Sequence, residues 1–102
     1  MALDFRALGL HEESLALNQE TYVRRRRVLG DDHPHTLLSA HDVVIDLLAA
    51  GRTAEALTLC RETVRKRVEV LGKEHPETVK TMRLAEQIVS AAELDTRSRL
   101  PG

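Results

Sequence analysis

The fold is decided by the stretch Val28-Leu29-Gly30-Asp31-Asp32-His33-Pro34-His35-Thr36, which occurs again as Val70-Leu71-Gly72-Lys73-Glu74-His75-Pro76-Glu77-Thr78. The two copies lie 42 residues apart, and residues 9–38 laid over residues 51–80 give 13 identical pairs out of 30 without a gap. Self-similarity at a fixed period of about 20 to 50 residues indicates a repeat architecture, in which each unit buries its apolar face against its neighbours. The sequence therefore predicts a short solenoid.

Composition favours helices and gives no whole-protein charge. The chain has 102 residues, of which 42% are apolar and 30% charged, with one Tyr, one Phe and no Trp. Helix formers dominate and strand formers are few, so the predicted fold class is all-α. The formal net charge of −1 creates no field that would draw in nucleic acid or an acidic membrane.

The single cysteine, Cys60, cannot form an internal disulfide, which suits a reducing compartment. The N-terminus has no basic-then-apolar signal pattern, and the longest apolar run, 43–50, is broken by Asp46. We therefore expect a cytoplasmic protein with no membrane partner.

Glycine and proline predict the helix boundaries. Residues 1–9 are interpreted as the end of a truncated repeat helix that closes at Gly9. Further helices are predicted over 12–29, from Pro34 to a stop at Gly51, over 53–71, and from Pro76 to Ser98 or Pro101. Residues 10–92 would then form the repeats, and residues 93–102 a helix extension with a frayed tail.

Apolar residues recur at three- and four-residue spacing along these segments, as they do on amphipathic helices. The predicted stripes are Leu15, Leu17, Tyr22, Val28 and Leu29; Ala56, Leu59, Cys60, Thr63, Val64, Val70 and Leu71; and Met82, Ala85, Ile88, Val89 and Ala92.

The segment Gly51-Arg52-Thr53-Ala54-Glu55-Ala56-Leu57, followed by a long helix and the junction 70–78, resembles tetratricopeptide repeats of the 42-residue kind, as in kinesin light chain. The resemblance covers about residues 1–92. The chain departs from the family at two positions in the first helix of a repeat. Where the family has a large aromatic residue, this chain has Ala40 or Met82, and four residues further on, where the family has a small residue, it has Val44 or Glu86.

This resemblance implies antiparallel helix hairpins in a short right-handed superhelical solenoid, whose first helices line a concave groove that holds a peptide or partner helix. The groove positions that it implies are Leu38, His41, Ile45 and Leu48 on one first helix, Lys80, Arg83, Gln87 and Ser90 on the next, and Leu3 and Arg6 on the truncated one.

The residues themselves leave two interpretations of the first complete helix. Leu38, His41, Ile45 and Leu48 lie on a different face from the apolar positions around Val43, so the helix has apolar residues on two sides. Either a neighbouring repeat or a second copy covers the second side, or that side is a ligand groove.

The basic run Arg24–Arg27, matched by 65–67, has two interpretations. It could bind nucleic acid, but consecutive helical residues point in different directions and no aromatic residue interleaves for base stacking, so a solvated basic face is favoured. Arg25 and Arg67 differ from the rest, because both fall within the apolar stripes. We expect each stem to be packed and each head to pair with a carboxylate.

No residues predict catalysis, a cofactor or a metal. His33 recurs as His75 at a helix start whereas His35 becomes Glu77, so capping explains the histidines better than a metal site does. Cys60 is expected to act as a small buried hydrophobe. The sequence contains no Ser/His/Asp set and no glycine-rich phosphate loop, so we do not expect an enzyme.

The predicted function is a protein–protein interaction module, with a protein or peptide as partner. Two alternatives stay open: C-terminal regulatory repeats of a larger signalling ATPase or regulator that dock on their own chain, and nucleic-acid binding through Arg24–Arg27. We also predict self-association through the open N-terminal face, because about three repeats are usually needed for stability.

Overall fold

In a computed structural model, the chain consists of four helices, with the backbone described for residues 5–99 and side chains for residues 12–93. The helices are α1 (Phe5–Leu29), α2 (Pro34–Ala49), α3 (Thr53–Leu71) and α4 (Pro76–Arg99). Each helix packs against the next one along the chain, and the turns between them are short, so consecutive helices form antiparallel hairpins. The fold is a helical-repeat solenoid, as the sequence predicted.

Most of the predicted boundaries are confirmed. Helix α3 has the predicted range, and α2 and α4 both begin at a proline. Gly30, Gly51 and Gly72 follow the first three helices with φ of 99°, 79° and 92°, which is the left-handed backbone region that glycine adopts without strain.

The predicted helix end at Gly9 is wrong. The backbone of α1 is continuously helical from Phe5 through Gly9 to Leu29. A single glycine costs a helix only about 1 kcal/mol relative to alanine, which is too little to end it without a second signal. Leu3 lies outside the described residues, as do the side chain of Arg6 and the predicted frayed tail, although the backbone of α4 extends to Arg99 as expected.

The core lies where the four helices meet. Its buried members are Leu15, Val43, Val44, Leu47, Ala56, Cys60 and Ile88. Cys60 is fully buried, as predicted, and its thiol lies 3.6 Å from the carbonyl of Thr81. Burial raises the pKa of this thiol, so it stays protonated and unreactive.

Five residues of the predicted stripes are exposed instead of buried: Leu17, Val28, Leu29, Val70 and Met82. Four of them lie on α1 or α4, each of which packs extensively against only one other helix among the described residues. Leu17 and Met82 are exposed although their counterparts Leu59 and Ala40 are covered, whereas Val28 and Val70 are exposed in both copies.

Candidate binding groove

Two equivalent caps set α2 and α4 in the same register. The Nδ1 atom of His33 accepts a hydrogen bond of 3.0 Å from the backbone N–H of His35, and that of His75 accepts one of 3.1 Å from Glu77. The predicted capping role is thus confirmed for both histidines. Because α2 and α4 start alike, residues 42 apart occupy equivalent positions along them.

Two arginines tie each long helix to the helix that follows it. Arg25 Nη1 donates to the carbonyl of His35 at 3.1 Å and to Ser39 Oγ at 2.9 Å. Arg67 Nη1 donates to the equivalent groups 42 residues on, the carbonyl of Glu77 at 2.8 Å and Thr81 Oγ1 at 2.7 Å. These contacts hold the start of α2 against α1, and that of α4 against α3.

The predicted carboxylate pairing of these arginines needs correction. Arg25 bonds to a carbonyl and a hydroxyl instead, and Arg67 adds only a 3.6 Å approach to Glu77 Oε2. The stem prediction holds for Arg67, which is buried, and its burial lowers the pKa of the guanidinium. The sequence signal that was missed is a hydroxyl residue, Ser39 or Thr81, fourteen positions after each arginine.

A cavity of about 590 Å³ lies between α2 and α4. It brings together five of the seven predicted partner-binding residues: His41, Ile45, Lys80, Arg83 and Gln87. Pro76, Val79 and Leu84 complete its wall, and the sequence analysis missed them because it followed a single stripe along each helix. We call this cavity the α2–α4 groove.

The other predicted positions lie elsewhere. Leu38 is exposed beside a smaller cavity of about 310 Å³, which Pro34 and Leu71 also line. Leu48 is partly buried against the core cluster, and Ser90 is exposed outside the α2–α4 groove. Both ends of the implied stripe on α2 therefore lie outside the groove, whereas on α4 only Ser90 does.

His41 connects the groove to the buried arginine. Its Nδ1 lies 3.2 Å from Thr81 Oγ1, the hydroxyl that accepts the hydrogen bond from Arg67. Burial lowers the pKa of His41, and the positive charge of Arg67 lowers it further. The neutral imidazole is thus favoured, and its contact with Thr81 joins α2 to α4 across the groove floor.

The α2–α4 groove combines an apolar wall with a basic rim. Ile45 is exposed beside Val79 and Leu84. Two cationic side chains, Lys80 and Arg83, line the same cavity, and Lys80 Nζ lies 3.9 Å from a Glu77 carboxylate oxygen. An apolar side chain flanked by acidic groups matches this surface, since rim charges attract opposite charges during encounter.

The run Arg24–Arg27 does not form one basic surface. Arg25 turns inward to α2, Arg24 lies 3.5 Å from Glu20, and Arg26 lies 3.1 Å from Asp31 and stacks over the Tyr22 ring. Neighbouring carboxylates and inward contacts thus occupy most of the run, which favours the solvated face over nucleic-acid binding.

Among the described side chains, no group of three His, Cys, Asp or Glu residues is arranged to hold a metal ion. The described helices also include none whose length and hydropathy would let it cross a membrane.

A family model described as tetratricopeptide repeat matches residues 1–65, which is more than half of the chain. The match ends within α3, before the second copy of the repeated junction. No curated protein and no solved structure matches the chain.

Proposed function

Because the chain belongs to the tetratricopeptide repeat family, whose repeats are generally non-catalytic protein–protein interaction modules, we propose that it binds a peptide or partner helix in the α2–α4 groove. The observation that carries this proposal is that five of the residues implied by the resemblance line one cavity. The buried Arg67–Thr81–His41 contacts support it, because they hold the two groove helices together before any partner arrives.

The chemistry of the groove indicates the kind of partner. Ile45 offers apolar area to a partner side chain, and Lys80 and Arg83 offer positive charge beside it. An amphipathic segment with acidic residues next to its apolar anchor would use both features. We place this binding in the cytoplasm, which the buried free thiol of Cys60 supports.

A displayed library of random peptides, panned against the full chain, tests this proposal. Peptides recovered from it are measured by calorimetry against the unmutated chain, Ile45→Asp and Arg83→Glu. We expect Ile45→Asp to weaken binding by about tenfold or more, because it places a carboxylate on the apolar wall. Arg83→Glu should weaken acidic peptides and reduce the salt dependence of their binding.

Val23→Asp is the matched control, because Val23 is also an exposed β-branched residue but lies on α1, away from the groove. It should bind the peptides as the unmutated chain does. If folded Ile45→Asp retains full affinity, or if Val23→Asp loses affinity equally, the peptides bind another surface and the proposal is wrong.

A further inference from the structure

Helices α1 and α3 carry equivalent residues in different surroundings. Helix α3 follows a complete hairpin, and Lys66 on α3 reaches back to it, with Nζ 3.9 Å from Asp31 in the α1–α2 turn. The same Nζ lies 3.3 Å from Glu62, one turn earlier on α3. The Lys66 side chain is 13% exposed, whereas its counterpart Arg24 on α1 is 68% exposed. The difference arises because no hairpin precedes α1 among the described residues.

The same contrast extends along one stripe of α1. Leu17 is 64% exposed, whereas its counterpart Leu59 packs against the core. Val28 does not share this contrast, because its counterpart Val70 is also exposed. Leu17 and Glu20 are identical in type to Leu59 and Glu62, so α1 retains residues that are partly covered on α3 beside a preceding hairpin. We call Leu17, Glu20 and Arg24 the N-terminal face.

The other end of the solenoid shows the complementary gap. On α2, the residues Ala40, Val44 and Leu47 are buried, and the last two share the core with residues of α3. Their counterparts on α4 are Met82, Glu86 and Val89, of which the first two are exposed and the third is partly buried. We call these three residues the C-terminal face.

We propose that copies of this chain stack head to tail, with the N-terminal face of one copy on the C-terminal face of the next. The joint would repeat the one that already exists inside the chain, where α3 packs against the first hairpin. The occupant is a second copy for the following reason. Helix α3, which shares these residues with α1, packs against the α1–α2 hairpin, and the α3–α4 hairpin of another copy repeats that hairpin 42 residues on.

Two substitutions make the joint between copies weaker than the internal joint. Glu86 stands where the internal joint buries Val44, so its carboxylate must lose water on stacking. Lys73 stands where Asp31 approaches Lys66, so it meets Arg24 of the other copy as a like charge. The association is therefore reversible. Replacing either residue by its counterpart in the first hairpin, as in Glu86→Val or Lys73→Asp, should strengthen it.

Sedimentation equilibrium of the full chain, from micromolar concentrations to about 1 mM, tests the stacking. A head-to-tail contact does not close, so we expect the average mass to rise steadily above 11.4 kDa without stopping at a dimer. Leu17→Asp should weaken the association by about tenfold or more. Val23→Asp should not, because its counterpart Arg65 stays exposed on α3 even beside a preceding hairpin.

A variant that is expected to strengthen stacking is needed as well, because a variant that weakens it could do so simply by unfolding. Glu86→Val restores the residue type of the internal joint and should tighten stacking by about tenfold. Ala91→Val also adds apolar area to α4, at an exposed position whose counterpart Ala49 is exposed on α2, and should leave stacking unchanged.

Three outcomes would overturn the proposal. One is a mass of 11.4 kDa throughout for both the unmutated chain and Glu86→Val. Another is a plateau at twice that mass, which indicates a symmetric dimer. The third is an equal response to the two members of either matched pair, which indicates non-specific association.

Discussion

The first hairpin, α1–α2, and the second, α3–α4, close in the same way but pack differently along their length. At the closed end, both have a positive-φ glycine, a histidine cap and an arginine that reaches across. Further along the first hairpin, Ser14 Oγ and Asn18 Nδ2 both donate to Asp46 Oδ2, at 3.0 and 2.5 Å. The equivalent residues of the second are Ala56, Cys60 and Ile88, all buried.

This difference teaches that the three positions act as a set. A carboxylate at the third position is stable because the other two donate to it, and an isoleucine is stable because the other two are small and apolar. A change at one position alone would leave a polar group without a partner. The contacts at the closed end are the same in both hairpins because they fix the register of the two helices. The middle of a hairpin can instead carry either the polar set of three residues or the apolar one.

The largest expected effect is that of Ile88→Asp. It places a carboxylate beside Ala56 and Cys60, which have no strong donor to offer it. We expect a loss of at least about 4 kcal/mol in the free energy of unfolding, measured by urea denaturation. Ile88→Val, which keeps the apolar character, should cost only about 1 kcal/mol. A small effect of Ile88→Asp would contradict the view that the second set is strictly apolar.

The arginine contacts should be unequal in energy although their geometry is repeated. Arg67 is buried and Arg25 is only partly so, because α3 packs extensively against both α2 and α4, whereas α1 does so only against α2 among the described residues. We expect Arg67→Ala to lower the free energy of unfolding by about 3 kcal/mol and Arg25→Ala by about 1 kcal/mol. Urea unfolding of both variants measures this. Equal losses would show that burial does not set the strength of these contacts.

Replacing the polar set of the first hairpin by the apolar set of the second should show whether the three residues stabilise the fold together or separately. Asp46→Ile leaves Ser14 and Asn18 without their acceptor, and we expect it to cost about 2 kcal/mol. The triple variant Ser14→Ala, Asn18→Cys, Asp46→Ile carries the whole set of the second hairpin and should recover most of that loss. The double variant Ser14→Ala, Asn18→Cys is the control, because it leaves the carboxylate without donors. Strictly additive losses would contradict the coupling.

The sequence predicted the repeated part of this fold well and the joints less well. The period of 42 residues located α2, α3 and α4, because glycine and proline act on the backbone locally. The hydrogen bonds of Arg25 and Arg67 were missed, because they depend on a partner fourteen residues away. The helix end at Gly9 was wrong because a local signal was read without a second one.

The candidate site was predicted in part for a similar reason. His41, Ile45, Lys80, Arg83 and Gln87 line one groove because they lie on facing sides of two helices in the same register. Leu48 was placed with them by spacing alone, but it packs against the core instead. Spacing along a helix gives the direction of a side chain, whereas the position of the neighbouring helix decides whether it is covered.

The smallest expected effect comes from the titratable contact between His41 on α2 and Thr81 on α4. The hydroxyl of Thr81 contacts both Arg67 and His41, whereas that of its counterpart Ser39 bonds to Arg25. Burial and the charge of Arg67 lower the pKa of His41, with Lys80 acting in the same direction and Asp42 and Glu77 opposing it. The unfolded chain therefore binds a proton at His41 at a higher pH than the folded chain does.

It follows that this part of the stability is fully present above the usual histidine pKa of about 6.5 and decreases as the pH falls below it. Urea unfolding at about pH 7.5 and about pH 5.5 should show a loss for the unmutated chain and a smaller loss for His41→Gln. The chain has five histidines, and comparing the loss in the unmutated chain with that in His41→Gln cancels the contribution of the other four. An equal or larger loss in His41→Gln would mean that burial and the charge of Arg67 do not lower the pKa of His41.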